Sequence, residues 1–186
     1  MVALAHLAMK KTRPDLLTII VPRHPDRGPH IARLLASAGA DLKLALRSEG
    51  KLPDADTDIY VADTIGELGL FYNVVPVAFI GGSLVPHGGQ NPVEAIKLGA
   101  AVLTGPHWRN FADAYDELLR AGACLQVNDA ESLASAASAM LGDQEARSAM
   151  MARAEAAIAR MGGALPLTIV ELERFLPPKA TLQHAS

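Results

Sequence analysis

The chain has 186 residues, of which 50 % are hydrophobic, 20 % charged and 4 % aromatic. That length and balance fit one globular domain with a substantial core and exclude a disordered chain. The formal charge of −3, with no run of Lys or Arg, leaves no electrostatic footprint for nucleic acid.

The N-terminal MVALAHLAMKK puts its basic residues after a short apolar stretch, the reverse of a signal peptide. No apolar run approaches the ~18 residues of a membrane-spanning helix, so no segment is expected to cross a bilayer. Strands are predicted at Leu17–Pro22, Leu42–Leu46, Ile59–Ala62, Val77–Ile80, Ala101–Thr104 and Leu125–Val127. Several are apolar at consecutive positions, as strands covered on both faces are. Helical spacing falls between them, at Pro29–Ala38, Thr64–Tyr72, Asn91–Leu98, Phe111–Ala121 and Glu131–Leu141. This alternation predicts an α/β fold with a doubly wound parallel sheet, one domain over residues 1–176. From about Asp143 the chain turns helical, with Gly162-Gly163 dividing two helices and Pro177-Pro178 ending the second. Residues 177–186 read as a tail. The lone cysteine, Cys124, excludes an internal disulfide and a multi-cysteine metal site; its apolar neighbours predict a buried structural thiol.

In open parallel sheets ligands bind beyond the carboxyl ends of the strands. Three loops there carry unusual residues. The first, Pro22-Arg23-His24-Pro25-Asp26-Arg27-Gly28, is stiffened by two prolines and offers donors suited to phosphate or carboxylate. In the second, Asp63-Thr64-Ile65-Gly66-Glu67, Thr64 and Glu67 have capping-box spacing, which accounts for both without a ligand. Gly66 is costly in a first helical turn, so the alternative is a close backbone approach by a ligand. The third runs from Gly81-Gly82-Ser83 through Gly88-Gly89-Gln90 to Asn91-Pro92-Val93-Glu94. Asn91 and Pro92 suit the opening of a helix, and Glu94 completes a second capping box. Two glycine pairs remain, and they could bare backbone N–H groups to an anion at a helix N-terminus. The loop matches neither the Walker pattern nor the dinucleotide GxGxxG. His24, His30, His87 and His107 lack metal-ligand spacing, so no metal is expected. Ser83 near His87 lacks the GxSxG elbow of a nucleophile. Gly105-Pro106-His107-Trp108, after the fifth strand, either borders a ligand or forms a turn.

Several stretches together resemble the 3-deoxy-D-manno-octulosonic acid (Kdo) transferases. They are PRHPDR (Pro22–Arg27), DTIGEL (Asp63–Leu68), FIGGSLVPHGGQNPVEAIKLGAAVLTGPHWRNF (Phe79–Phe111) and LPPK (Leu176–Lys179). They follow the family's order and spacing over nearly the whole chain. The resemblance implies the C-terminal, Rossmann-like half of a GT-B glycosyltransferase, the half that holds CMP-Kdo. It further implies CMP contacts from Pro22, Arg23, Ile65, Gly66, Glu67, Asn91, Pro92, Val93 and Glu94, with Ser83 and Gln90 bordering the donor. Gln90 stands where the family commonly carries His, and Ile65 where Met is common. The family's N-terminal acceptor domain, with its catalytic glutamate, has no counterpart in this sequence, so no catalytic residue is assigned here.

The implied reaction moves Kdo from CMP-Kdo to a lipid A precursor in lipopolysaccharide biosynthesis. It proceeds by direct displacement without metal or other cofactor, at the cytoplasmic face of the bacterial inner membrane. The fragment itself is expected to be soluble and inactive. Two other readings stay open: the donor domain of a different GT-B enzyme, of UDP-GlcNAc epimerase or heptosyltransferase type, and a stand-alone nucleotide-binding domain without catalysis.

Overall fold

The computed structural model describes residues 1–37, 41–162, 171–172 and 175. Six strands lie where sequence patterning predicts them: β1 (Thr18–Ile20), β2 (Leu44–Leu46), β3 (Ile59–Val61), β4 (Val77–Ile80), β5 (Ala101–Thr104) and β6 (Leu125–Gln126). They form two three-stranded sheets, ordered β1-β3-β2 and β4-β5-β6, and every pairing is parallel. In register, Ile59 of β3 lies between Thr18 and Leu44, and Val77 of β4 opposes Ala101 of β5.

The central strand of each sheet is buried at every position, which is why β3 and β5 show no polar alternation. Successive side chains serve opposite faces. On β3, Ile59 and Val61 pack with Ala3 of α1 (Val2–Lys10) and Leu35 of α2 (Gly28–Ala36), whereas Tyr60 packs with Phe71 of α3 (Leu68–Val74). On β5, Val102 joins Ile96 of α4 (Val93–Lys97), Leu118 of α5 (Ala112–Arg120) and Ala154 of α7 (Gln144–Met161). Leu103 points the other way, to Ala5 of α1 and Leu133 of α6 (Ala130–Gly142). Helices therefore cover both faces, as the doubly wound reading requires. Each fully buried aliphatic side chain contributes roughly 1.5–3 kcal/mol. Cys124 lies 3 % exposed in the same core as Val102 and Leu118.

Helices α2, α5 and α6 match their predicted spans to within two residues at each end among the described residues. The predicted helix from Thr64 begins only at Leu68, and that from Asn91 only at Val93. Helix α7 opens on an Asp143 cap, its carboxylate accepting the Ala146 N–H at 2.9 Å, and runs to Met161. The second terminal helix and the tail lie outside the described residues, apart from 171–172 and 175. Among the described residues no helix is long and apolar enough to cross a membrane.

Helix α1 has no counterpart among the elements predicted from sequence. It packs chiefly on α6 and carries a fully buried His6. The His6 ring meets the Thr18 hydroxyl through Nδ1 at 2.9 Å, and Nε2 has no hydrogen-bond partner among the described residues. Asp58 Oδ1 lies 3.9 Å from Nε2, but Lys10 pairs with that carboxylate, which also accepts the Lys43 N–H at 2.8 Å. Burial, with Lys10 second, lowers the His6 pKa from its ordinary value. Because the folded state binds this proton less readily than the unfolded chain, the His6 contribution to stability is full above the unfolded pKa. It is lost as pH falls through and below ~6.5. The unfolding midpoint is expected to drop between about pH 7.5 and pH 5.5, and the drop to shrink in His6→Gln, as parallel thermal melts would read.

Candidate functional site

The loops after β1, β3 and β4 hold the residues singled out above, and the structure shows how each is built. After β1, Pro22 is half-buried and Arg23 and His24 are exposed before a 3-10 turn at Pro25–Arg27 leads into α2. The Arg23 guanidinium donates through Nη1 to Gln90 Oε1, joining the first loop to the third. Arg23, His24, His87, Gly89, Gln90 and Asn110, with Phe111, line a pocket of ≈ 400 Å³.

The loop after β3 corrects the capping reading. Neither Thr64 nor Glu67 caps a backbone N–H; Glu67 stands at the N-cap position of α3 without a side-chain cap bond. The Thr64 hydroxyl instead donates to Glu67 Oε2. Gly66 is explained by its own backbone, at φ +88° with nothing within 4 Å of a Cβ built there, so conformation alone accounts for the glycine. Ile65, beside it, is 86 % exposed. The preceding Asp63 is buried; its carboxylate accepts the Ser48 N–H at 2.8 Å and the Ser48 hydroxyl at 2.7 Å.

The loop after β4 is fastened to the chain after β5. Ser83 is fully buried, its hydroxyl donating to the Ile80 carbonyl at 2.6 Å and accepting the Gly105 N–H at 2.7 Å. Its side chain thus supports the loop rather than facing the pocket. The second glycine pair also has a structural cause. Gly88 and Gly89 have φ of +103° and +71°, and Cβ atoms there would press within 2.5 Å of Asn110 and 3.0 Å of Trp108. Those glycines admit the 107–110 segment, whose Asn110 N–H bonds Gly88 O at 3.1 Å. The Gly105-Pro106-His107 stretch is thereby a packed turn, with the His107 N–H on Ser83 O at 2.9 Å.

Gln90 is held from behind: the buried Tyr115, stacked on Trp108 at 5.7 Å, donates its hydroxyl to the Gln90 carbonyl at 2.9 Å. Asn91 Oδ1 accepts the Val93 N–H at 3.0 Å, while Pro92 takes the N-cap position of α4. The expected Glu94 capping box is absent. Glu94 is exposed on the first turn, close enough to Tyr72 of α3 to help burial raise that phenol's pKa. At five residues, α4 is too short for a summed helix dipole to attract an anion strongly. Side chains able to donate around the pocket are those of Arg23, His24, His87, Gln90 and Asn110.

Two contributors escaped the sequence reading, Arg47 and Ser48, directly after β2. Arg47 forks onto Glu67, Nη2 to Oε1 at 2.6 Å and Nε to Oε2 at 3.1 Å. The hydrogen bond from Arg47, then that from Thr64, holds the Glu67 carboxyl below the usual carboxylate range. The signal was positional: the β2 loop opens on the same edge as the three loops that were considered. Among the described residues no hydrogen bond joins Glu67 or Glu94 to Arg23. A second hollow of ≈ 390 Å³ lies between α5 and α7, where Glu117 accepts from Arg120 at 2.8 Å and Arg160 at 2.7 Å. It brings together none of the residues singled out from the sequence.

No family model matches the chain. It is 38 % identical over 144 residues to the 3-deoxy-D-manno-octulosonic acid transferase of Haemophilus influenzae, covering 77 % of this chain and 33 % of that protein. The transferase of Bordetella pertussis is 38 % identical over 170 residues, covering 91 % of this chain and 39 % of the relative. The chain therefore spans between a third and two fifths of the length of these relatives. Among solved structures, the C-terminal CMP-Kdo binding domain of WaaA from Acinetobacter baumannii superposes with a TM-score of 0.80 at 32 % identity. That match covers 84 % of this chain and 81 % of the other. Sequence and Rossmann-like fold agree on one lineage: the chain belongs to the 3-deoxy-D-manno-octulosonic acid transferase family.

Proposed function

We propose that this chain is the donor half of a Kdo transferase, holding the CMP of CMP-Kdo along the loops after β1, β3 and β4. The observation that carries the reading is the meeting of Arg23 and Gln90 over the pocket at the strand ends, two loops that 66 intervening residues separate in sequence. In this reading Pro22 and Arg23 meet the phosphate. Ile65, Gly66 and Glu67 border the ribose, and Asn91, Pro92, Val93 and Glu94 form the opposite wall. Ser83 acts through the loop it fastens, and Gln90 through Arg23.

In the parent enzyme an acceptor hydroxyl on a lipid A precursor would attack the anomeric carbon as the bond to the CMP phosphate breaks. The hydroxyl proton would pass to a base outside these 186 residues, at the cytoplasmic face of the inner membrane. Arg23 and loop amides would stabilise the charge that the departing phosphate gains.

Calorimetry with CMP, UDP and ADP tests the nucleotide. CMP is expected to bind weakly and at least about tenfold tighter than the other two, since base-specific contacts differ by more than ~1.4 kcal/mol. Equal binding of all three would overturn the donor assignment. An assay with CMP-Kdo and a lipid A precursor is expected to give no turnover, and turnover by this chain would place the catalytic base here.

A further inference from the structure

The 3-10 turn Arg47–Glu49 after β2 grips the loop after β3 at two carboxylates. Ser48 holds Asp63 through N–H and hydroxyl, which suffices to fasten the two loops. Arg47 adds a fork onto Glu67, and the buried Tyr60 brings its hydroxyl beside the guanidinium. The Arg47 and Glu67 side chains remain 33 % and 27 % exposed, and ion pairs in that setting contribute little to stability. What a fork does supply is orientation, because two parallel N–H···O bonds fix the carboxylate plane.

A carboxylate offers about four acceptor positions, two on each oxygen. Arg47 Nε and the Thr64 hydroxyl occupy those on Oε2, and Arg47 Nη2 takes one on Oε1. Among the described residues one position is left, on Oε1. We propose that Arg47 is a positioning residue of the donor site, aiming the Glu67 carboxylate so that its Oε1 accepts a single hydroxyl of the bound nucleotide. The inference rests on the donor-site reading, and it explains why a carboxylate can be both held rigid and left available.

The test uses the 186-residue chain, with CMP affinity followed from about pH 7 to pH 4 beside thermal melts. Arg47→Gln is expected to weaken CMP about tenfold while leaving the melting midpoint nearly in place. It is also expected to move the acid limb of the binding profile to higher pH, because Glu67 loses the partner that keeps it ionised. Arg47→Lys, which keeps the charge and guards against misfolding of the first variant, should restore the acid limb but not the full affinity. Glu67→Gln should abolish the difference in acid limb between Arg47 and its replacements. With the wild-type chain, removing either the 2′- or the 3′-hydroxyl from CMP should cost affinity through Glu67, and removing the other should not. Arg47→Gln with wild-type affinity and acid limb would overturn the positioning role while leaving the donor reading intact. Unchanged CMP affinity in Glu67→Ala would overturn the donor reading at this loop, and the inference with it. Equal dependence of both hydroxyls on Glu67 would overturn the single-acceptor geometry.

Discussion

Gly105→Ala is expected to destabilise the fold by about 3 kcal/mol, lowering the unfolding midpoint by roughly 6–12 °C. A Cβ at Gly105 would lie 2.2 Å from the Ser83 carbonyl oxygen and 2.4 Å from its carbon. These are backbone atoms, so no side chain can swing aside to make room. Relief would require β4 and the chain after β5 to part, stretching the Ser83 Oγ bond to the Gly105 N–H and the His107 N–H bond to Ser83 O. The first of these lies in a buried setting, where an unmade hydrogen bond costs about 1–3 kcal/mol. Gly81→Ala is the matched control, since nothing lies within 4 Å of a Cβ there. Thermal melts of the two variants should differ by most of the predicted shift. Coincident melts would mean that the loop yields without strain and that the Ser83–Gly105 fastening is not a structural constraint.

Arg23→Ala should weaken CMP about ten- to a hundredfold, the loss of one or two charge-assisted hydrogen bonds, with little change in cytidine affinity. Arg23 is exposed on a loop confined by Pro22 and Pro25, and its one side-chain partner among the described residues is the Gln90 amide oxygen. A neutral acceptor is a weaker match for a guanidinium than two phosphate oxygens, so an incoming phosphate can displace it. Arg23→Lys retains the charge without the fork and should fall between wild type and alanine. Titrating all three proteins with CMP and cytidine separates the phosphate from the nucleoside. Equal weakening of both ligands would make Arg23 a shaper of the nucleoside pocket, and the phosphate assignment would fail.

The architecture was legible because strands buried on both faces leave an unmistakable trace. Ile59–Ala62 and Ala101–Thr104 are apolar at nearly every position, and their partners in the chain supply helices for two sides. The loops after β1, β3 and β4 were legible for the same reason, since strand ends define where they begin. The purposes of individual residues there were not. Thr64 and Glu67 have the spacing of a capping box, yet spacing cannot report that Arg47, 20 residues upstream, outcompetes the helix for the carboxylate. The glycine pair at 88–89 invites an anion-binding reading, but its cause is the approach of Trp108 and Asn110, a contact no local pattern encodes. Helix α1 went unpredicted because its stabilisation comes from packing on α6 rather than from caps or a strongly amphipathic pattern.

The burial of Cys124 has a practical corollary. Desolvation pushes its thiol up to about 12, so almost none is thiolate at neutral pH, and its side chain is enclosed among Val102, Leu118 and Ala154. Alkylating reagents and peroxides act on exposed thiolates. The native fold is in effect a cysteine-free background: a single cysteine grafted at exposed Ile65, after β3, or Val85, after β4, would carry a fluorophore with no need to replace Cys124 first.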